Sequence, residues 1–548
     1  MKIKSLLFAA LAFVPSVLSA QVIEGDVLVR GDGVPKDYKI PEGIREIAPN
    51  AFATSSVRSI ECPASLEVIG QCAFFYATEL KSVTFAPNSK LKTIGEQAFS
   101  DCTNLETIEL PNSVDSIGVN AFVLCENLKK ITIPTGLRKL SRSTFMSCSN
   151  LMKVKFPETL KEIDETCFAN CVSLTSLTLT GVETIGERTF YNCKVLTNVK
   201  LNEGLKEIKD NAFQRCIAIE TLELPASIEK TGAKLFLQCP EFDGFTVAAG
   251  SKYMMADGGV LYSKDKTTLY ECPQTAKSDN FVVPAETKLI RSMAFFECQD
   301  IKAITLPKNL EKVGTGALSN NGMATFNFTT NDYLIYEDNA LYYRSQNGNG
   351  LYLMAIPCKG TKTEFLLQPK TSYIADYAFS YNNSMQKVSL PDPVIGIGPR
   401  AFYACHDLKD IYSYRETAPT LGEEVFGDVE FNKVYLHVRK GSEKSYADNN
   451  WLFLWGDNIE GDYPDVVDAI KGVTTASAGL AVVRLSATEV RLTADTNISS
   501  VELYNAAGGL VSENKQVGSN EVVLTLLHRG VYVAKLRLAN GSVKVVKI

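Results

Sequence analysis

Histidine is nearly missing from this chain: three occur in 548 residues, His406, His437 and His528. A thiol or hydroxyl nucleophile needs a base at its side, and His406, which follows Cys405, points another way in extended chain. Also absent are the His-Glu-x-x-His, Gly-x-Ser-x-Gly and phosphate-loop patterns that place a metal, a nucleophile or a nucleotide. No Cys-x-x-Cys pair is matched by a second Cys or His pair, so zinc has no ligand set. We therefore expect no enzyme, no metal and no cofactor. An excess of positive charge is lacking too: 56 Lys and Arg stand against 62 Asp and Glu, a formal net charge of −6, which offers no general attraction for nucleic acid. Nor is there an uninterrupted apolar run of about 18 residues, so no membrane-spanning helix is expected.

The first twenty residues, MKIKSLLFAALAFVPSVLSA, have another character. Lys2 and Lys4 give a charged start, Leu6 to Val14 an apolar stretch, and Ser19 or Ala20 a small residue for cleavage, which together read as a secretory signal. A buried N-terminal helix is the competing reading.

What the chain has in abundance is repetition. Phenylalanine recurs at Phe52, Phe74, Phe99, Phe122, Phe145, Phe168, Phe190, Phe213 and Phe236, in steps of 22 to 25 residues. It resumes at Phe295, with Leu318 in its place one step on, and then at Phe379, Phe402 and Phe426. Within a unit, Leu105, Ile108 and Leu110 match Leu128, Ile131 and Ile133, and the final pair alternates as in a short strand with one buried face. Proline often follows, as at Pro111, Pro134 and Pro157, and ends the strand because it has no N–H to donate. A second apolar pair, such as Val114 and Ile117, precedes each Phe, and the AF-x-x-C stretch is expected to turn the chain back as a turn or short helix. One unit has too few apolar side chains to order itself, so stacked units must share a core.

Nine of the 14 cysteines stand three residues after an anchor, from Cys102 and Cys125 to Cys298 and Cys405. Parallel side chains in stacked units do not reach the dihedral angle a disulfide needs, so a buried ladder of thiols is expected. Cys62, Cys72, Cys167, Cys272 and Cys358 fall off that ladder and are given no partners.

The repeated Leu-x-x-Ile-x-Leu-Pro and Ile-Gly-x-x-Ala-Phe-x-x-Cys stretches, as in Leu105 to Pro111 and Ile117 to Cys125, resemble those of the BspA-like leucine-rich repeat family of bacterial surface proteins. The resemblance implies a β-rich leucine-rich-repeat solenoid with short convex-side helices or turns over residues 21–430. Two interruptions, near 240–285 and 325–370, also look like that family and read as β-hairpins around Lys264-Asp265 and Asn347-Gly348. Residues 431–461 look like its closing cap, and 462–475, with Pro464 and Gly472, read as a linker.

Residues 476–548 carry short strand-like runs (AVVRLSA, EVRLTA, SVELYN, EVVLTL, VYVAKLRL) between glycine-rich turns, which suggests a small C-terminal antiparallel β-sandwich. Leu503-Tyr504-Asn505 with Gly508, then Gly530 and Tyr532, then Gly541 and Lys544, resemble the C-terminal sorting domain of the Bacteroidota type IX secretion system. That likeness implies export, engagement of the secretion and sorting machinery, and a final place at the outer-membrane surface or outside the cell. A generic sandwich is the alternative.

Residues flanking the central Ile of each strand point outward. Among them Lys130, Lys153, Lys155 and Lys200 are read as a basic stripe for an acidic partner, against the plain reading of a solvated sheet. Tyr333, Tyr336, Tyr342 and Tyr343, with Tyr352, crowd the second interruption, either as interface anchors or as packing for the hairpin. The family resemblance implies an adhesin for host matrix or plasma glycoproteins, such as fibronectin or fibrinogen, or for other bacterial cells. A structural protein, or a module capturing glycans or peptides, competes with it.

Overall fold

The computed structural model describes residues 22–31, 33–345, 350–430, 433–451, 459–463, 480–484, 489–505, 510–514, 517–526 and 532–547. The proposed signal at 1–20 and the Asn347-Gly348 turn lie outside them, as do residues 464–475 of the expected linker. The chain divides into two units, one ending at Thr275 and the other beginning at Ala276.

In the first unit every repeat makes one coil with two strands. The Leu-x-x-Ile-x-Leu stretch forms the longer one in most coils, such as Ser59–Cys62, Ser82–Phe85 and Lys130–Thr132, paired in parallel with its neighbours. After the turn comes a two-residue strand, such as Val68–Ile69, Thr93–Ile94 and Ser116–Ile117, also parallel from coil to coil. An antiparallel hairpin, Val22–Glu24 with Val27–Arg30, opens the series, and Val27–Arg30 then pairs in parallel with Glu46–Ile47.

The return segment is a turn in every repeat; no helix forms there among the described residues. Its backbone is unusual. The residues two before and two after each Phe, such as Gln97 and Asp101 around Phe99, have φ of +53° and +60°. A left-handed conformation costs a non-glycine residue about 1–2 kcal/mol. The compensation is a third ladder: the N–H groups of Gln97, Phe99 and Asp101 donate to the carbonyls of Val119, Ala121 and Val123 in the next coil, at 3.0, 2.8 and 2.9 Å. The same three bonds recur from Asn120, Phe122 and Leu124. Glycine at the head of the turn has a steric reason, since a Cβ on Gly95 would fall 2.6 Å from the backbone of the coil before it.

Inside, the phenylalanines stack. From Phe52 to Phe236 successive ring centroids are 4.9 to 5.7 Å apart with planes within about 12° of parallel, a spacing imposed by the strand-to-strand step of about 4.8 Å. Beside the rings runs the expected cysteine ladder, all of it buried. Each thiol donates to the carbonyl of the preceding anchor: Cys102 to Phe74 at 3.1 Å, Cys125 to Phe99 at 3.1 Å, Cys148 to Phe122 at 3.2 Å.

The second unit repeats this plan. Its own hairpin series, Leu334–Glu337, Ala340–Arg344 and Leu351–Ala355, is antiparallel, and its last strand pairs in parallel with Thr371–Ile374 and so restarts the short-strand sheet. Phe379, Phe402 and Phe426 stack at 4.7 and 5.0 Å. A closing segment covers Phe426: Trp451 lies 6.0 Å from it, fully buried, with its indole N–H on the Pro419 carbonyl at 3.0 Å. The strand Tyr435–Arg439 pairs with Asp410–Ser413 on one side and Ile459–Tyr463 on the other, so ordered pairing runs two residues into the stretch read as linker.

The C-terminal strands are antiparallel and have their own core around Leu492, Ile498, Leu503, Ala534 and Leu536. One correction concerns the runs EVRLTA and SVELYN, which belong to a single strand, Glu489–Asn505, of 17 residues. Its first part pairs with Leu480–Arg484 and Ser519–Thr525, its second with Leu510–Asn514 and Tyr532–Leu538. The polar stretch between the two runs does not break the strand; it is absorbed by register shifts between Thr493 and Ser500.

Candidate binding faces

The longer strands turn their polar residues outward. In Lys130–Thr132 and Ser176–Thr178 the middle residue is buried and both neighbours are exposed, as the two-residue period of a strand requires. Register then decides which lysines meet. Lys130 stands opposite Lys153, and Thr132 opposite Lys155, so three lysines occupy one corner of two adjacent strands. Lys200 is placed apart, opposite Thr178 in the pair Ser176–Thr178 and Asn198–Lys200. Lys130 reaches Glu109 at 4.0 Å. Among the described residues Lys153, Lys155 and Lys200 have no carboxylate partner, so their charge faces solvent uncompensated.

The tyrosines separate by burial. Tyr342 is 1% exposed, its hydroxyl accepting the Gln368 N–H at 3.4 Å. It is a packing residue, which corrects its inclusion among possible partner contacts. Tyr336 is half-buried against Phe326, with its hydroxyl on Asn339 at 3.0 Å. Tyr333, 46% exposed, lines a surface cleft of about 570 Å³ with Lys288, Glu311, Asn331 and Asp332. Tyr343 and Tyr352 lie directly opposite each other on adjacent strands.

Of the residues singled out in the tail, Gly508 and Gly530 lie outside the described residues. Tyr532 is buried in the module's core. Gly541 sits in a turn at φ +81°, and Lys544 is 3.7 Å from Asp495.

Sequence reasoning missed how the first interruption is sealed against the solenoid. Where Phe213 gives its N–H to the Leu235 carbonyl of the next coil, Phe236 gives its own to Glu271, at 3.2 Å, and Leu235 donates to the same carboxylate at 2.7 Å. Where the Phe213 carbonyl takes the thiol of Cys239, that of Phe236 takes the side-chain amide of Gln274 at 2.8 Å. The hairpin's side chains thus stand in for a coil. Lys234 gave no signal of it, since Arg188 and Arg400 are cations at the same left-handed position of ordinary coils.

Among the described residues no cluster of His, Cys, Asp or Glu could hold a metal ion, and no helix is long and apolar enough to cross a membrane.

Comparison with known proteins agrees with this repeat. Among curated proteins none matches the sequence. Solved structures that resemble it include a leucine-rich cell surface protein from Faecalibacterium prausnitzii, 19% identical, covering 83% of this chain and 99% of that one with a TM-score of 0.40. A leucine-rich repeat protein from Bacteroides ovatus is 19% identical, covering 82% and 99%, with a TM-score of 0.42. The pneumococcal vaccine antigen PcpA is 20% identical over 81% and 96%, with a TM-score of 0.30. The family model described as BspA type leucine-rich repeat region matches residues 45–175, 161–256, 267–349 and 360–450. These ranges take in well over half of the sequence, and the chain belongs to the BspA-type leucine-rich repeat family.

Proposed function

We propose that this chain is an exported cell-surface adhesin whose longer-strand face receives an acidic protein partner, such as a host matrix or plasma glycoprotein or a protein on another bacterial cell. The observation that carries the reading is the corner formed by Lys130, Lys153 and Lys155, where like charges stand opposite each other on adjacent strands. Like charges in that position repel, so the arrangement is a cost to the sheet that an anionic partner would relieve. A stiff stack of coils suits the role, because every coil adds one more row to a single recognition surface. The N-terminal segment and the tail supply the export part of the reading.

The test is binding of the chain without residues 1–20 to immobilised fibronectin and fibrinogen, with Lys153→Glu/Lys155→Glu as the variant. We expect saturable binding that weakens with salt and falls at least tenfold in the variant. Binding of equal strength by the variant, or no binding to either protein or to whole bacterial cells, would overturn the proposal. Mass spectrometry of protein shaved from intact cells tests export: a mature product lacking residues 1–20 and the tail is expected, and a full-length chain held inside the outer membrane speaks against it.

A further inference from the structure

The short-strand sheet of the second unit departs from the repeat at one place. The first residue of each two-residue strand faces outward, and in the first unit it is Glu46, Val68, Thr93, Ser116, Lys139, Glu162, Thr184, Glu207 or Lys230, none of them aromatic. In the second unit the same position holds Tyr373, and glycine, Gly396, in the coil after it. Register extends this into a row across four strands: Tyr343 opposite Tyr352, Tyr352 opposite Tyr373, Tyr373 opposite Gly396.

The pieces of the row fit one another. A Cβ on Gly396 would fall 2.8 Å from the ring of Tyr373, so the missing side chain is what lets that ring lie over the neighbouring strand. Tyr352 is 38% exposed; its ring centroid is 6.2 Å from that of Tyr373 and its plane is turned by 85°. One ring is a floor and the other a wall. Thr420, an exposed residue opposite Gly396, continues the row, its hydroxyl donating to the Ile395 carbonyl at 3.3 Å. Two exposed cations stand at the ends of these strands: Arg344, the residue after Tyr343, and Lys370, whose carbonyl accepts the N–H of Leu351 at 2.9 Å. Both basic side chains are exposed, and among the described residues neither has a carboxylate partner.

We propose that this aromatic corner binds an acidic polysaccharide. The C–H face of a pyranose ring carries slight positive charge and stacks on the negative face of an aromatic ring, which Tyr373 offers. Tyrosine and threonine hydroxyls meet those of the sugar, and Arg344 and Lys370 pair with its carboxylates or sulfates. The strand step of about 4.8 Å is close to the advance of one sugar along an extended chain, so successive sugars meet successive strands. A protein hot spot is instead a pocket walled to exclude water, whereas this corner is open and edged with hydroxyls. The site shares no residue with the lysine corner, so each proposal can fail alone.

The experiment is affinity electrophoresis of the chain without residues 1–20 through gels containing polygalacturonate, hyaluronan or heparin, with dextran as the neutral control. Retardation by at least one acidic polymer is expected, at least tenfold weaker for Tyr352→Ala and for Tyr373→Ala. Arg344→Gln/Lys370→Gln should weaken binding and flatten its dependence on salt. Tyr76→Ala, at an exposed tyrosine elsewhere, should leave it unchanged, and circular dichroism melts confirm that each variant is folded. Retardation by none of the acidic polymers, equal retardation by dextran, or binding that survives both tyrosine variants would overturn the proposal.

Discussion

Lys234 and Glu271 face each other at 4.0 Å with 1% and 3% of their side chains exposed. Their burial follows from a break in the stack. A coil that ends against an insertion leaves backbone groups that the next coil would have satisfied, and a buried unpaired N–H is costly. Glu271 takes two of those N–H groups, and Lys234 balances its charge while donating to the Cys272 carbonyl at 3.3 Å. Removing one partner strands a charge, so Lys234→Met should destabilise the first unit by about 3–5 kcal/mol. Urea unfolding followed by circular dichroism measures this. A loss below about 1 kcal/mol would show that the hairpin is held by other contacts.

The stacked phenylalanines should be the costliest residues to truncate. Phe122→Ala or Phe145→Ala leaves a cavity between two rings and should cost about 3–5 kcal/mol. Phe52→Ala, at the opening end with a ring stacked on one side only, should cost less. The difference between end and middle is the diagnostic, since stability in such an array is shared between neighbours.

The cysteine ladder should be chemically silent while the chain is folded. Burial pushes the Cys148 thiol far above its ordinary range, and that of Cys167, off the ladder but equally buried, up to about 12, and the thiolate is the reactive form. Ellman's reagent at pH 8 should therefore reach only the partly exposed Cys72 in the native protein, and all 14 thiols in denaturant. Fast reaction at Cys125 or Cys148 under native conditions would contradict the packing.

Asp265, in the turn of the first hairpin, should titrate unusually low. Its carboxylate accepts the Ser263 hydroxyl at 2.7 Å and the Thr267 N–H and hydroxyl at 3.0 and 2.8 Å, which holds its pKa to about 2 against about 3.9 in an unfolded chain. The sign follows from the folded value being the lower. The turn gains stability above about pH 4, and loses it as pH falls towards 2. Carboxyl-detected NMR reads the titration directly, and Asp265→Asn should remove this component of the acid dependence.

Much of the architecture was legible before any coordinate. A period of about 23 residues with Leu, Ile and Phe at constant offsets determines a stack, its shared core, its buried thiols and the outward direction of Lys130, Lys153 and Lys155. All of these are local: they depend on which residues alternate within one coil, and alternation is written along the chain. The turn chemistry was less legible. Gln97, Leu124 and Arg188 are not turn formers by type, yet each is left-handed, because the hydrogen bonds that offset the strain come from the following coil.

What tertiary structure alone decided lies where the period fails. Tyr342 and Tyr343 are neighbours in one strand, and only the direction of the core tells that the first is buried and the second faces out towards Tyr352. Glu271 and Gln274 meet Phe236 across 35 and 38 residues, and Tyr373 meets Gly396 only through the strand pairing. By itself the sequence determined the repeating coil and its inner and outer faces. The tertiary structure decided how each interruption is sealed and which aromatic side chains share a surface, because those contacts join residues whose separation no repeating pattern encodes.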